Sequence, residues 1–325
     1  MVKSLLPPAM TPFDVPNTFE IKIARTYKEA IRLRNKGYCP VECSFGEGSV
    51  VDDLVMDHHG ELSHLDSVAI RAYKGHFGAR RGNPKFVVTG FSDEDACFAI
   101  AALAGALPHH SLVESFPNAP PAMRALARQN IVHVAEIIAK VDSDPNQAIT
   151  LLDSHWGRVV LAWRIETSPT CRDILQWYGG VARWRDLLTI QSDDFIEAAR
   201  DTHHDNIAQV LSARSQKCGQ NVTVVDFSQF GPNSLYYQKW CEESPVIIAH
   251  QAGTNGLGPC SFAVRDVETA RSFWGDLGLR AIYPTLNPMG CGGRETLGGS
   301  SRSQPVSWAQ AIEFGNQISN SITAT

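Results

Sequence analysis

The stretch from Lys85 to Ala106 constrains this chain most. Lys85 to Thr89 is a compact apolar run of strand length, GFSDED is an acidic loop, and Ala96 to Ala106 is a run of small and apolar residues with helical character. Strand, loop and helix in that order make one unit of a parallel sheet, and in open sheets of this kind ligand sites lie on the loops at the carboxyl ends of the strands. A second such unit reads upstream, where two β-like runs, YCPVECSF and VVDDLVM, precede Asp57-His58-His59-Gly60. The two polar loops are expected to face one crevice. The fold class expected is α/β: a mostly parallel sheet domain with helices, plus a smaller α/β C-terminal domain.

Residues 20 to 37 carry apolar and small side chains at helical spacing and end at Gly37, which predicts a surface helix. Ser63 to Phe77 also reads as a helix. From about 121 to 216 the pattern is mostly helical, with interruptions from Asp142 to Pro145, at Pro169 and at Gly179-Gly180. Beyond that the composition shifts to the β-like runs NVTVVDF, PVIIAH and CSFAV, a helix from Val267 to Leu277, and the glycine-rich stretch MGCGGRETLGGSS. The domain join is placed near Lys217 to Gly219, giving residues 1–217 to a metal-binding domain with a helical segment and 218–325 to a glycine-rich substrate domain.

At 325 residues, 43% of them hydrophobic, the chain has material for two cores of ordinary size. A formal net charge of -5 provides no basic excess for tracking an extended nucleic acid, while a local basic pocket for a small phosphorylated ligand stays compatible with it. Eight cysteines stand singly without a CxxC pair, unlike a zinc knuckle or a disulfide framework. The apolar start is soon broken by prolines, too short for a signal-peptide core, and no segment approaches the ~20 apolar residues of a membrane span. A cytoplasmic location without membrane partners is the expectation, and a homo-oligomer is left open.

Asp57, His58 and His59 combine carboxylate and imidazole on one turn, a donor set suited to borderline divalent metals; the plain alternative is a solvated polar turn. Asp93 and Asp95 stand one residue apart before a helix, where helix capping is the simplest role. Two such clusters at the ends of neighbouring strands favour a cation site over either role alone. Outside them, His64, His109-His110, Asp153 with His155, and His203-His204 read as structural or solvated. Adjacent helical positions such as His203 and His204 point in different directions.

On these residues the chain resembles the DHH phosphoesterase superfamily. VMDHHG is similar to its naming motif, SDEDA to its acidic DxDA motif, and VHVAEIIAKVDSDP to a helical stretch that ends in an aspartate, Asp142. The motifs stand in an order unlike the family's, with Asp57 before Asp93, and Phe91 occupies the place of a family histidine. CSFAVRD and GCGGRETLGGSS resemble the DHH-associated C-terminal domain. The resemblance implies metal ligation by His58, Asp93, Asp95 and Asp142, catalytic roles for Asp57 and His59, and substrate binding by Arg265, Gly292, Gly293 and Arg294. Glycines permit close backbone approach and guanidinium offers paired donors to phosphate. Arg294 is assigned there to substrate and not to the ions.

The function expected is a metal-dependent hydrolase cleaving a phosphoester or phosphoanhydride in a small molecule, nucleotide or short oligonucleotide, with Mn2+ as cofactor. Two alternatives are a non-catalytic nucleotide-binding or regulatory protein with a degenerate DHH site, and a metal hydrolase acting on a non-phosphate bond.

Overall fold

A computed structural model describes residues 19–45, 48–62, 64–90, 92–109, 131–143, 148, 150–167, 173–189, 193–230, 233–286, 290–300 and 304–322. Phe91, His110, Pro145 and Pro169 lie outside the described residues.

The predicted helix over 20 to 37 is divided in the structure. Its first part is strand β1 (Glu20–Ile23), which pairs in parallel with Lys85 to Val88, so cross-strand pairing overrides the helical spacing of EIKI. Thr26 then caps helix α1 (Tyr27–Arg34) by accepting the Glu29 amide, and Ala30 and Leu33 turn inward. Gly37, at φ 84°, ends the unit in the left-handed region that glycine adopts without strain.

Strand β2 (Cys39–Pro40) is an edge strand, where a proline is tolerated. The run YCPVECSF breaks after it at Glu42, φ 50°, and resumes as a hairpin of β3 (Ser44–Phe45) and β4 (Gly48–Ser49). The segment VVDDLVM is not the strand its composition suggests. Asp52 accepts the Leu54 amide in a turn, Arg80 pairs with Asp52 at 2.8 Å, and Val55 adopts φ 50°. Charge pairing and a tight turn therefore replace extended pairing there.

Helix α2 (Val68–Gly75) leads to β5 (Lys85–Val88), the central strand of the order β1-β5-β2, and β5 leads to helix α3 (Glu94–Leu103). Every residue of α3 is buried. Its small side chains let neighbours approach closely: a Cβ at Gly180 would stand 2.8 Å from the Cys97 sulfur. The helices α4 (Val132–Ser143), α5 (His155–Thr167), α6 (Ile174–Thr189) and α7 (Asp193–Leu211) follow. A core around Phe86, Val88, Phe98, Trp163, Trp177 and Trp184 packs one face of the sheet, and α1 covers Val87 on the other.

A six-stranded, mostly antiparallel sheet begins with β6 (Ser215–Lys217), β7 (Val222–Asp226) and β8 (Val246–His250), with helix α8 (Ser234–Glu243) between the last two. Next come β9 (Leu257–Gly258), β10 (Cys260–Val264), helix α9 (Val267–Trp274), β11 (Gly292–Gly293), β12 (Leu297–Gly299), β13 (Val306–Ser307) and helix α10 (Trp308–Ser321). The sheet order is β11-β12-β10-β8-β7-β6, with β7 and β8 parallel. One face packs α9 and α10 through Phe262, Leu279 and Phe314; the other packs α8 through Phe227, Tyr237 and Trp240. Because β6 pairs with β7, the join read at Lys217 to Gly219 falls inside a hairpin of this sheet. No helix of the described residues is long and apolar enough to cross a membrane.

Candidate metal centre

The three strands of the first sheet are parallel, so the loops after β2 and β5 leave from the same edge. The loop after β2 carries Glu42 and returns as Asp57-His58-His59. It is held in place by backbone contacts: the Glu42 amide donates to the Met56 carbonyl at 2.8 Å, and Arg71 of α2 donates to the carbonyls of Val55 and Asp57 at 2.6 and 2.8 Å. The loop after β5 delivers Asp93 and Asp95.

His58 is the centre of the arrangement and is 1% exposed. Its Nε2 lies 2.9 Å from Glu42 Oε1 and 3.4 Å from Asp95 Oδ2. On the opposite side of the ring, Nδ1 lies 3.6 Å from Asp142 Oδ2 and 3.1 Å from Arg294 Nη2. A guanidinium only donates, so Nδ1 accepts and the ring hydrogen sits on Nε2, directed at Glu42. Asp57 is fully buried. Its Oδ1 accepts from the His59 amide and ring Nδ1, both at 2.9 Å, whereas Oδ2 has no partner within hydrogen-bonding distance, with the Ser49 hydroxyl as a nearby stabilising group.

Asp95 has a second employment. Its carboxylate accepts from the Ser67 hydroxyl at 2.6 Å and from the Ala69 and Val68 amides at 2.8 and 3.1 Å, so it caps α2 from another helix while facing His58. Asp93 caps α3 through the Ala96 amide at 2.9 Å, the simplest role read for it. Among the described residues, two groups have ligand atoms within 4.8 Å of one another: Glu42, His58 and His59, and His58, Asp95 and Asp142. Asp93 belongs to neither.

The charges of this crevice are unbalanced. Burial, then the neighbouring Asp95, pushes the Glu42 carboxyl up to about 8. Burial with Glu42 and Glu94 raises Asp93 well above the ordinary carboxylate range, and burial raises Asp95 against the opposing pull of His58. Burial also pushes Asp57 upward, but its bonds from His59 outweigh that and hold it below its usual value. Glu42, Asp95 and Asp142 crowded around one imidazole make a donor set that fits a divalent cation.

Arg294 joins this cluster to the second sheet. It stands at the tip of the β11–β12 hairpin, where its amide donates to the Leu297 carbonyl at 2.7 Å and its carbonyl accepts from the Tyr283 hydroxyl at 2.9 Å. The hairpin explains two glycines by itself: a Cβ at Gly293 would meet Gly298 Cα at 2.4 Å, and one at Gly298 would meet the Tyr283 oxygen at 2.0 Å. Gly292 opens to solvent. Arg294 reaches Asp142 Oδ2 at 3.1 Å and also lines a cleft of ≈ 270 Å³ with Arg265, Arg280, Ser143 and Gln238. Arg265 is fixed in that wall by donating Nε to the Cys241 carbonyl at 2.9 Å.

The sequence led to the expectation that Asp57, His58, Asp93 and Asp95 share a crevice with Asp142 as a further ligand; the structure gathers His58, Asp95 and Asp142, leaves Asp93 as a helix cap outside both groups, and adds Glu42, which the sequence reading missed. The available signal was an acidic residue just past the apolar run YCPV, at the carboxyl end of a strand. No family model matches the chain, and no curated protein matches it. Among solved structures, it is similar to a chain described as a member of the s1p family of ribosomal proteins, DHH domain, at 12% identity, covering 93% of this chain and 68% of that one with a TM-score of 0.34.

Proposed function

We propose that this protein is a metal-dependent hydrolase of phosphoesters or phosphoanhydrides in small molecules or nucleotides. The observation that carries the reading is the meeting of the buried His58 cluster with an arginine-lined cleft through Arg294. His58, through Nδ1, and Asp142 would hold the cation with Asp95 close by, while Glu42 fixes the ring through Nε2, Mn2+ being suited to mixed imidazole and carboxylate donors. A divalent cation supplies positive charge for a phosphoryl oxygen and for the attacking water.

The chain's own groups do the rest. Asp57 holds the His59 ring by Nδ1, so Nε2 of a half-exposed imidazole is the atom placed to exchange a proton with water or leaving group. Arg265 and Arg280 line the cleft and bind phosphate oxygens with paired donors. A second reading, phosphate-ligand binding without turnover, is favoured by one observation: Asp93 and Asp95 both serve as helix caps.

The test is a panel of phosphomonoesters, phosphodiesters and nucleoside polyphosphates assayed with added Mn2+ and with excess chelator. Hydrolysis that chelator abolishes, and that His58→Ala and Glu42→Gln lower by about a hundredfold or more with unchanged circular dichroism, supports the reading. Tight binding of a nucleotide with no turnover selects the second reading; turnover indifferent to chelator contradicts both the cation and the assigned ligands.

A further inference from the structure

The Arg294 guanidinium touches two of the groups assigned to the cation. Its Nη2 lies 3.1 Å from His58 Nδ1 and 3.1 Å from Asp142 Oδ2, on the side of the ring turned away from Glu42. With the ring hydrogen directed at Glu42, Nδ1 is the lone pair that a metal ion requires, and it is engaged by Arg294. A positive group on a glycine-built hairpin tip is thus paired at once with the Asp142 carboxylate and with the free ring nitrogen of His58.

We infer that Arg294 is an internal stand-in for the metal ion: it neutralises the His58–Asp142 side of the cluster, and the incoming ion must displace it. The inference rests on the proposed metal site and adds an order of events to it. Displaced Arg294 remains in the wall of the cleft beside Arg265 and Arg280, where a phosphate offers it new acceptors. Metal and phosphate then favour each other, because each removes a cost from the other's binding, and the coupling is reciprocal. The assignment of Arg294 to substrate alone is revised by this geometry: its removal alters affinity for the ion as well.

The experiment is calorimetric titration of Mn2+ into metal-stripped protein, comparing the unsubstituted chain with Arg294→Met and Arg294→Lys, folding being checked by circular dichroism. Loss of one charge-assisted contact to a ligand group corresponds to about tenfold. Arg294→Met is therefore expected to bind Mn2+ about tenfold more tightly, with Arg294→Lys between the two. Inorganic phosphate is expected to tighten Mn2+ binding to the unsubstituted chain and to do so less in Arg294→Met. Unchanged or weaker Mn2+ affinity in Arg294→Met overturns the stand-in role while leaving the metal site intact. Failure of all three proteins to bind Mn2+ overturns it together with the proposed function.

Discussion

His58 and His203 are both buried. His58 is held between acids, whereas His203 on α7 stacks on Tyr236 at 5.7 Å and lies near Arg164, and burial followed by that positive charge lowers it to about 4. The unfolded chain takes up this proton near 6.5 and the folded one does not until about 4. Stability attributable to His203 is therefore complete above pH 6.5, declines as pH falls through the window to 4, and is fully lost below it. That shift corresponds to about 3 kcal/mol. Phenylalanine keeps the ring stack and binds no proton, so urea denaturation of His203→Phe should lose about 3 kcal/mol less than the unsubstituted chain between pH 6.5 and pH 4. Parallel pH profiles would contradict the assignment. Individual site residues were legible where they formed a local pattern, as in Asp57-His58-His59 and Asp93-Glu94-Asp95. Glu42 was not, because its place depends on a positive-φ turn and on the Met56 carbonyl, contacts that only the folded chain supplies.

Among the elements, α3 sets the geometry of the crevice, since its first turn bears Asp95 and its buried length fixes that turn against α2 and α6. Gly180 of α6 lies against Cys97 and Trp163, with a Cβ there approaching 2.8 Å and 3.1 Å. Alanine at that position gains about 1 kcal/mol of helix propensity. Overpacking costs about 1–3 kcal/mol, and Trp163, stacked on Trp184 at 5.2 Å, has little room to yield. Gly180→Ala is therefore expected to lower stability by about 1 kcal/mol in chemical denaturation; a stabilised variant would show that the helix pair has slack. The strands Lys85–Val88, Val222–Asp226, Val246–His250 and Cys260–Val264 were legible from apolar runs because burial on both faces leaves that signature. β1 and VVDDLVM were misread for complementary reasons: four residues carry too little period to separate strand from helix, and β-branched residues also occur in turns held by charge pairs.

Across the whole molecule, the two sheets have separate cores, and among the described residues side chains bridge them. Arg164 of α5 pairs with Glu94 of α3 and donates to Asn233, the cap of α8, at 3.0 Å. Arg294 reaches from the second sheet to His58 and Asp142. The α/β class and the approach of the Asp57-His58-His59 turn to the acidic loop were foreseeable from the strand-loop-helix alternation; the reach of Arg294 into that cluster depends on how the hairpin is presented and was not. The central claim is that one cation site lies at the carboxyl edge of the parallel sheet, between His58, its acidic neighbours and Arg294. Anomalous X-ray diffraction at the manganese edge, from crystals of the protein soaked in Mn2+, tests it most directly. The account predicts a peak within coordination distance of His58 Nδ1 and an Asp142 oxygen, with the Arg294 guanidinium moved off both. A peak elsewhere, or none with Arg294 still bonded to His58, would contradict it.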